Sequence, residues 1–487
     1  ANAEALTINA GTGAVTFTGA VGAMGMGNAI GSLTVNSAGD TTFTSTVDAA
    51  SVTTNAGGRV VIKGGRITTS GSQLYGENAV LDNTSRLTVL NTTNSDVSFA
   101  GTLKNNTVNA ESLSINAGSG AVIFTGAVGA TGASNAIGAL IVNNTGDTTF
   151  VSTVDAASVT TDLGGNVIIQ GGRISTSGAQ SYGENVWLNN VALNSTSPAT
   201  TLNTADNAVS FVGTLKNYTN HAEGLTITAG TGDVMFTGAV GASSVNGAIG
   251  ALGITNTGNV TFTSTVDAAS VSTATGSTLR IKGGRVTTTW AQWYGGDVLL
   301  DNALQATTLT TTDSAVNVRG FVKNYASTPQ SLTINAGSGN VTFVGVMGRA
   351  GNALGDLVVN SEGVTTIQST VDAASLRTDI NGVSPITLGG RIVIQGGRIS
   401  TSGQQHYAEL VKLDKTDTSF NATTVLNTVD SALIFDAPIK NTIAQAQNLT
   451  INAGLGNVTF NGSVGTAGVN GALGHVVINS AGETKFV

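Results

Sequence analysis

Cysteine is absent from this 487-residue chain. Disulfide frameworks and cysteine-based zinc sites are therefore excluded. Charged residues supply only 10%, against the roughly 25% of ordinary soluble domains. Thr, Ser, Asn and Gly must then cover the surface. Proline occurs 4 times, and aromatics make up 5%. No stretch approaches the ~18 consecutive apolar residues of a spanning helix, so direct membrane insertion is not expected. No basic run exists and the net charge is −8, which argues against nucleic acid and against anionic membrane as partners. Leu, Glu, Lys and Ala runs at helical spacing are missing as well. The opening ANAEALTINA has neither a basic n-region nor an apolar core, so the segment reads as mature or as cut from something longer.

What remains is 40% hydrophobic and holds 65 glycines. Disordered chains are poorer in apolar residues and richer in charge, so a folded chain is expected. Its apolar residues come in short strings that recur. LTINAG begins at Leu6 and returns, with small changes, at Leu113, Leu225, Leu332 and Leu449, in steps of 107, 112, 107 and 117 residues. STVDAAS begins at Ser45, Ser152, Ser264 and Ser369. IKGGR or IQGGR ends at Arg66, Arg173, Arg285 and Arg398, and a Lys-Asn pair recurs at Lys104, Lys216, Lys323 and Lys440. One continuous array over 1–487 is expected, with super-repeats 6–112, 113–224, 225–331 and 332–448 and a partial fifth at 449–487.

Each super-repeat divides into four units of about 27 residues. A unit holds about three Val/Thr/Ile/Phe strings separated by Gly, Asn, Asp or Ser, which read as strands and turns. That pattern predicts an all-β parallel β-solenoid (β-helix) of about 18 rungs. Apolar residues at i and i+2, as in V-T-F, share one strand face. Phe17, Phe124, Phe236, Phe343 and Phe460 hold one place in successive copies and read as an inward core stack. Phe43, Phe150, Phe262 and Phe486 hold a second place, and Phe99, Phe211 and Phe435 a third. Asn9, Asn36, Asn116 and Asn143 follow strands, where amides can stack from rung to rung.

Candidate sites are few. Asp48, Asp155, Asp267 and Asp372 come once per super-repeat, one in each STVDAAS. Four rungs at about 4.8 Å would set them about 19 Å apart, too far for a metal pair or a glycosidase acid pair. They read as structural markers that accept backbone N–H groups at a corner. Calcium at such corners is conceivable, but the Gly-Gly-x-Gly-x-Asp repeat is absent, and no cofactor or metal is expected. Arg66, Arg173, Arg285 and Arg398 are expected to form surface ion pairs with Glu77, Glu184, Asp297 and Glu409. His221, His406 and His475 belong to no metal or triad motif and read as incidental surface residues. The third copy breaks the pattern: RITTSGSQLYGEN becomes RVTTTWAQWYGGD. Trp290, Trp293 and Tyr294 then read either as local packing over an altered turn or as an aromatic platform for a sugar ring or a partner surface.

The tandem strings LTINAGTGAVTFTGAVG, SLTVNSAGDTTF, STVDAASVTT and GGRITTSG resemble the repeat regions of large bacterial surface exoproteins, the filamentous-haemagglutinin-like and autotransporter-type adhesins. The resemblance spans essentially the whole chain. It implies a right-handed parallel β-helix, secretion across an outer membrane, an extracellular or cell-surface location, and a role as stalk or adhesive rod. It brings no catalytic residues. The family's secretion domain and anchoring domain are not recognised in this stretch, which starts and stops in mid-phase as part of a longer array would. The expected function is a non-enzymatic structural or adhesive rod with a host or environmental glycan or protein surface as partner. A self-associating filament or sheath subunit is the alternative. A polysaccharide-degrading β-helix would need acids and bases clustered on adjacent rungs, and an ice-binding solenoid would need regular T-x-T ladders. Neither pattern is present.

Overall fold

The computed structural model describes residues 3–23, 28–106, 110–130, 136–190, 199–219, 221–242, 247–379, 390–415, 422–441, 446–467 and 471–487. The chain is an all-β parallel solenoid, with no helix among the described residues. It divides into two compact units, residues 1–250 and 251–487. The division falls inside the 225–331 super-repeat.

Within residues 1–250, three series of parallel pairings run from turn to turn. The first passes through Ile8, Val35, Thr54, Tyr75, Phe99, Phe124 and Phe150. The second joins Phe17, Phe43, Ile62 and Leu81, and continues through Leu103, Val128, Val154 and Ile174. The third joins Val21, Val47, Ile67, Leu90, Ile115, Val142 and Thr161. Each series lines one face of the coil. The partners alternate inward and outward along every strand, as in the buried Val122 and Phe124 around the half-buried Ile123. Turn lengths are not uniform: they run from 19 residues, between Val35 and Thr54, to 29, between Leu188 and Asn217.

The phase of the coil differs from the phase of the sequence. From Ile8 up to its counterpart Ile115 the chain passes twelve strands, counting that of Ile8 itself, and the single-residue bridge at Val21, and the bent strand Val47–Thr54 serves two faces. These make fourteen strand positions at three per turn, so one super-repeat occupies four and two-thirds turns, not four. Ile8 is on the first face and Ile115 on the third; Phe17 is on the second and Phe124 on the first. Counterparts in successive copies therefore do not stack on one another. Residues 251–487 follow the same rule. There Ile334 shares a series with Val359, Thr378, Tyr407, Phe435 and Phe460, whereas its counterpart Ile451 pairs with Leu426.

The core stack consequently mixes the three phenylalanine sets. Tyr75, Phe99, Phe124 and Phe150 stack in sequence, with ring centroids 5.0–5.4 Å apart. Tyr182, Phe211 and Phe236 form a second stack. Tyr407, Phe435, Phe460 and Phe486 form another, and Phe17 lies on Phe43. Each such pair contributes about 0.5–1.5 kcal/mol beyond its buried area. Asparagines within the strands form amide ladders from turn to turn. The Nδ2 of Asn116 donates to Asn91 and that of Asn143 to Asn116, both at 2.8 Å. Asn36 donates to Asn9, and Asn479 to Asn452, in the same way. The stacked amides expected from the sequence are thus present.

Candidate functional site

The four aspartates lie on strands and not in a tight corner. Asp48 is the second residue of Val47–Thr54, and the bend comes after it, where pairing passes from Ile67–Thr69 to Gln73–Tyr75. Among the described residues its carboxylate takes no backbone N–H. It accepts two parallel hydrogen bonds from Arg66, at 2.8 and 2.9 Å, and Arg66 also donates to Thr68 Oγ1 at 2.8 Å. Asp155 with Arg173, Asp267 with Arg285, and Asp372 with Arg398 repeat this fork, and Ser175, Thr287 and Ser400 take the third bond. The expected pairing of these arginines with Glu77, Glu184, Asp297 and Glu409 is therefore wrong. Register explains the choice: Asp48 lies directly beside Thr68, two residues after Arg66 in the next turn, so the guanidinium lies across it. The neighbouring carboxylate holds each guanidinium pKa above its ordinary value.

A gap in the ladder accounts for the burial of these carboxylates. In the turn before, Val21 pairs with Val47 and Ile30 with Ala49. Among the described residues the ladder of that turn therefore skips Asp48, passing from Val21 to Ile30. Gly22, at φ 66°, passes so close that a Cβ would fall 2.2 Å from the Asp48 carbonyl oxygen. Val128 and Ile137 straddle Asp155 in the same manner, and Met347 and Leu354 straddle Asp372. The Asp side chains are 5–9% exposed and the Arg side chains 24–37%. Such a bidentate, half-buried pair is stronger than an ordinary surface ion pair. Asp48 and Asp155 also face different sides of the coil, with about 22 Å of axial rise between them. They cannot share a site, and the reason is direction as well as distance.

A second repeated device escaped the sequence reading. Gln73 is fully buried. Its Nε2 donates to Ile67 O, Thr69 Oγ1 and Asn91 O at 3.3, 3.2 and 2.8 Å, and its Oε1 accepts from the Tyr75 hydroxyl at 2.9 Å. Gln180 with Tyr182, Gln292 with Tyr294, and Gln405 with Tyr407 reproduce it. The signal was present as Q-x-Y in all four copies: i and i+2 share a face, and here that face is inward. Burial pushes each tyrosine pKa up.

Tyr294 is therefore removed from the expected aromatic cluster, because it is fully buried. Trp290 and Trp293 remain outside, at 63% and 41% exposure. Trp293 occupies the outward x of Q-x-Y, and the Arg319 guanidinium lies 5.4 Å from its ring centroid. Another outward aromatic pair, Trp187 with Tyr218, packs at 5.2 Å, and Lys216 lies 4.8 Å from the Trp187 ring. These residues are far apart in sequence, so no local string announced them.

The predicted acids fall in two environments. Glu77, Glu184 and Glu409 are at most 3% exposed, with the Thr54 and Thr161 hydroxyls beside the first two and Asp379 beside the third. Burial pushes Glu77 and Glu184 up to about 7. Glu409 is pushed up to about 9 by burial and by the neighbouring Asp379. Asp297 differs: it aligns with Asn78 and accepts from Phe321 N and Lys323 Nζ at 2.9 and 2.8 Å. Of the histidines, His406 contacts Asp436 at 2.6 Å and is not incidental, while His221 and His475 are exposed. Among the described residues no three His, Asp or Glu side chains converge as a metal site would need. Comparison with protein-family models, with curated proteins and with solved structures finds no match.

Proposed function

We propose that this chain is a non-enzymatic structural and adhesive repeat region of a secreted bacterial surface protein. One observation supports this reading above others: the repeated polar side chains bind neighbouring turns of the same chain. The Asp–Arg forks, the buried glutamine amides and the Asn ladders all bond from rung to rung. A catalytic β-solenoid needs polar residues that converge outward on a substrate. Here the repeated chemistry is used on the scaffold itself. Solenoids hold together through such nearest-neighbour interfaces and present long side surfaces for contact.

Localisation tests the reading. Antibodies raised to this region, applied to intact native cells, should label the surface, and electron microscopy of the native product should show separate projections. Label confined to the cell interior would overturn the proposal. Continuous fibres with an axial repeat would replace it with the filament reading.

A further inference from the structure

The junction of the third and fourth copies holds a cleft of about 530 Å³, within the range of small-ligand sites. Phe321, Lys323, Tyr325, Val346, Arg349 and Asn352 are among its lining residues. Phe321 and Tyr325 flank the strand Val322–Asn324, and both rings are about half exposed. The Tyr325 ring is backed by the Arg280 guanidinium, 3.4 Å from its centroid, and Arg280 is itself fixed by Asp301 at 2.5 Å. The opposite wall is the excursion after Met347, which pairs with Val322. Asn324 Nδ2 pins this wall by donating to Asn352 Oδ1 and Ala353 O, at 2.8 and 2.9 Å. Arg349 and Asn352 close its turn through their backbones.

Charge in the cleft is unbalanced. Lys323 is neutralised by Asp297. Arg349 is exposed and has no ion-pair partner among the described residues. The Asn352 Oδ1 accepts from Asn324, which leaves its amide nitrogen available as a donor. An aromatic wall, one uncompensated guanidinium and an amide donor complement a pyranose ring carrying one carboxylate. No other copy assembles this set. The places of Phe321 and Tyr325 are taken by Thr102 and Asn106 in the first copy, and by Thr214 and Tyr218 in the second. Tyr218 is packed against Trp187. The corresponding stretches of sequence, 22–29, 129–136, 241–248 and 465–472, are eight residues long and hold no cation, whereas 348–353 is six residues long and carries Arg349.

We propose that this cleft binds a uronic acid unit of an acidic polysaccharide. The carboxylate pairs with Arg349, and the apolar face of the ring lies on Tyr325. The site is independent of the scaffold proposal, which stands if the cleft proves empty of function. Calorimetric titration of the full chain with tetragalacturonate tests it, beside the neutral galactose tetramer, a sulfated oligosaccharide and polyglutamate. Binding to the uronate is expected to exceed the other three at least tenfold. Arg349→Ala and Tyr325→Ala should each weaken it at least tenfold, Arg349→Lys less, and Trp290→Ala not at all. Both truncated side chains are exposed, and an unchanged thermal melt checks that the variants fold. Absence of uronate binding, equal or tighter binding of the sulfated sugar or polyglutamate, or uronate binding that survives both alanine variants would each overturn the proposal.

Discussion

At Glu77, Glu184 and Glu409 a carboxyl group is sealed beneath the surface, at most 3% exposed. At the matching place in the third copy stands Gly296, where a Cβ would fall 1.8 Å from the Ser277 carbonyl oxygen. The previous turn has closed over the space that the glutamates fill elsewhere. The neighbouring Gln292 and Tyr294 keep their hydrogen bond at 2.9 Å, as in the other copies. The two regions show what a repeat in this coil must retain. Groups that bond the next turn inward are repeated in every copy. Groups that only fill a pocket, or that face outward, are free to change, and the third copy changed several together: Trp290, Trp293, Gly296 and Phe321.

The contrast can be broken first at the core. Phe124→Ala should cost about 3–5 kcal/mol, the range for deleting a buried aromatic ring, whereas Trp293→Ala, at an outward position, should stay within about 0.5 kcal/mol. Urea unfolding followed by far-UV circular dichroism measures both, and comparable losses would refute the inward–outward assignment. The Asp–Arg fork comes next. Arg173→Ala leaves Asp155 buried without a partner and should cost about 3 kcal/mol. Arg173→Lys keeps the charge but loses the two-pronged geometry and should recover only part of that. Full recovery by lysine would mean that the fork geometry contributes nothing.

A smaller and more diagnostic effect concerns pH. Glu77 and Glu184 titrate near 7 in the folded chain, above the usual glutamate range, and Glu409 near 9. A carboxyl whose pKa is raised by folding binds its proton more tightly in the folded state. Its contribution is complete below about 4.5 and is lost as pH rises through the folded value. The melting temperature should therefore fall between pH 5 and pH 8. Replacing Glu77, Glu184 and Glu409 with glutamine should flatten that slope, because glutamine cannot ionise. A slope that survives all three substitutions would place its origin elsewhere.

Much of this was legible in the strings themselves. Alternation of period two in V-T-F and V-S-F, with glycine and asparagine between, was enough for parallel strands in a solenoid with phenylalanine inside. The Asn positions pointed to their ladders. The candidate site was less legible. Trp290 and Trp293 were noticed because they broke a repeat, but Tyr294 was grouped with them although Q-x-Y placed it on the opposite face. Phe321, Tyr325 and Arg349 drew no attention, since only the coil brings residues 321–325 beside residues 348–353.

The sequence by itself determined that the chain repeats, that it is all-β, and which residues of each strand share a face. Those properties follow from local spacing, because side chains alternate along any extended strand. Only the tertiary structure decided which turn lies on which. Pairing depends on the total length of chain between strands, and an excursion such as 348–353 adds length without adding a strand. The coil therefore runs four and two-thirds turns per super-repeat. That fraction interleaves the three phenylalanine sets and turns Asp48 and Asp155 toward different faces, while the register between adjacent turns gives Arg66 to Asp48 instead of Glu77.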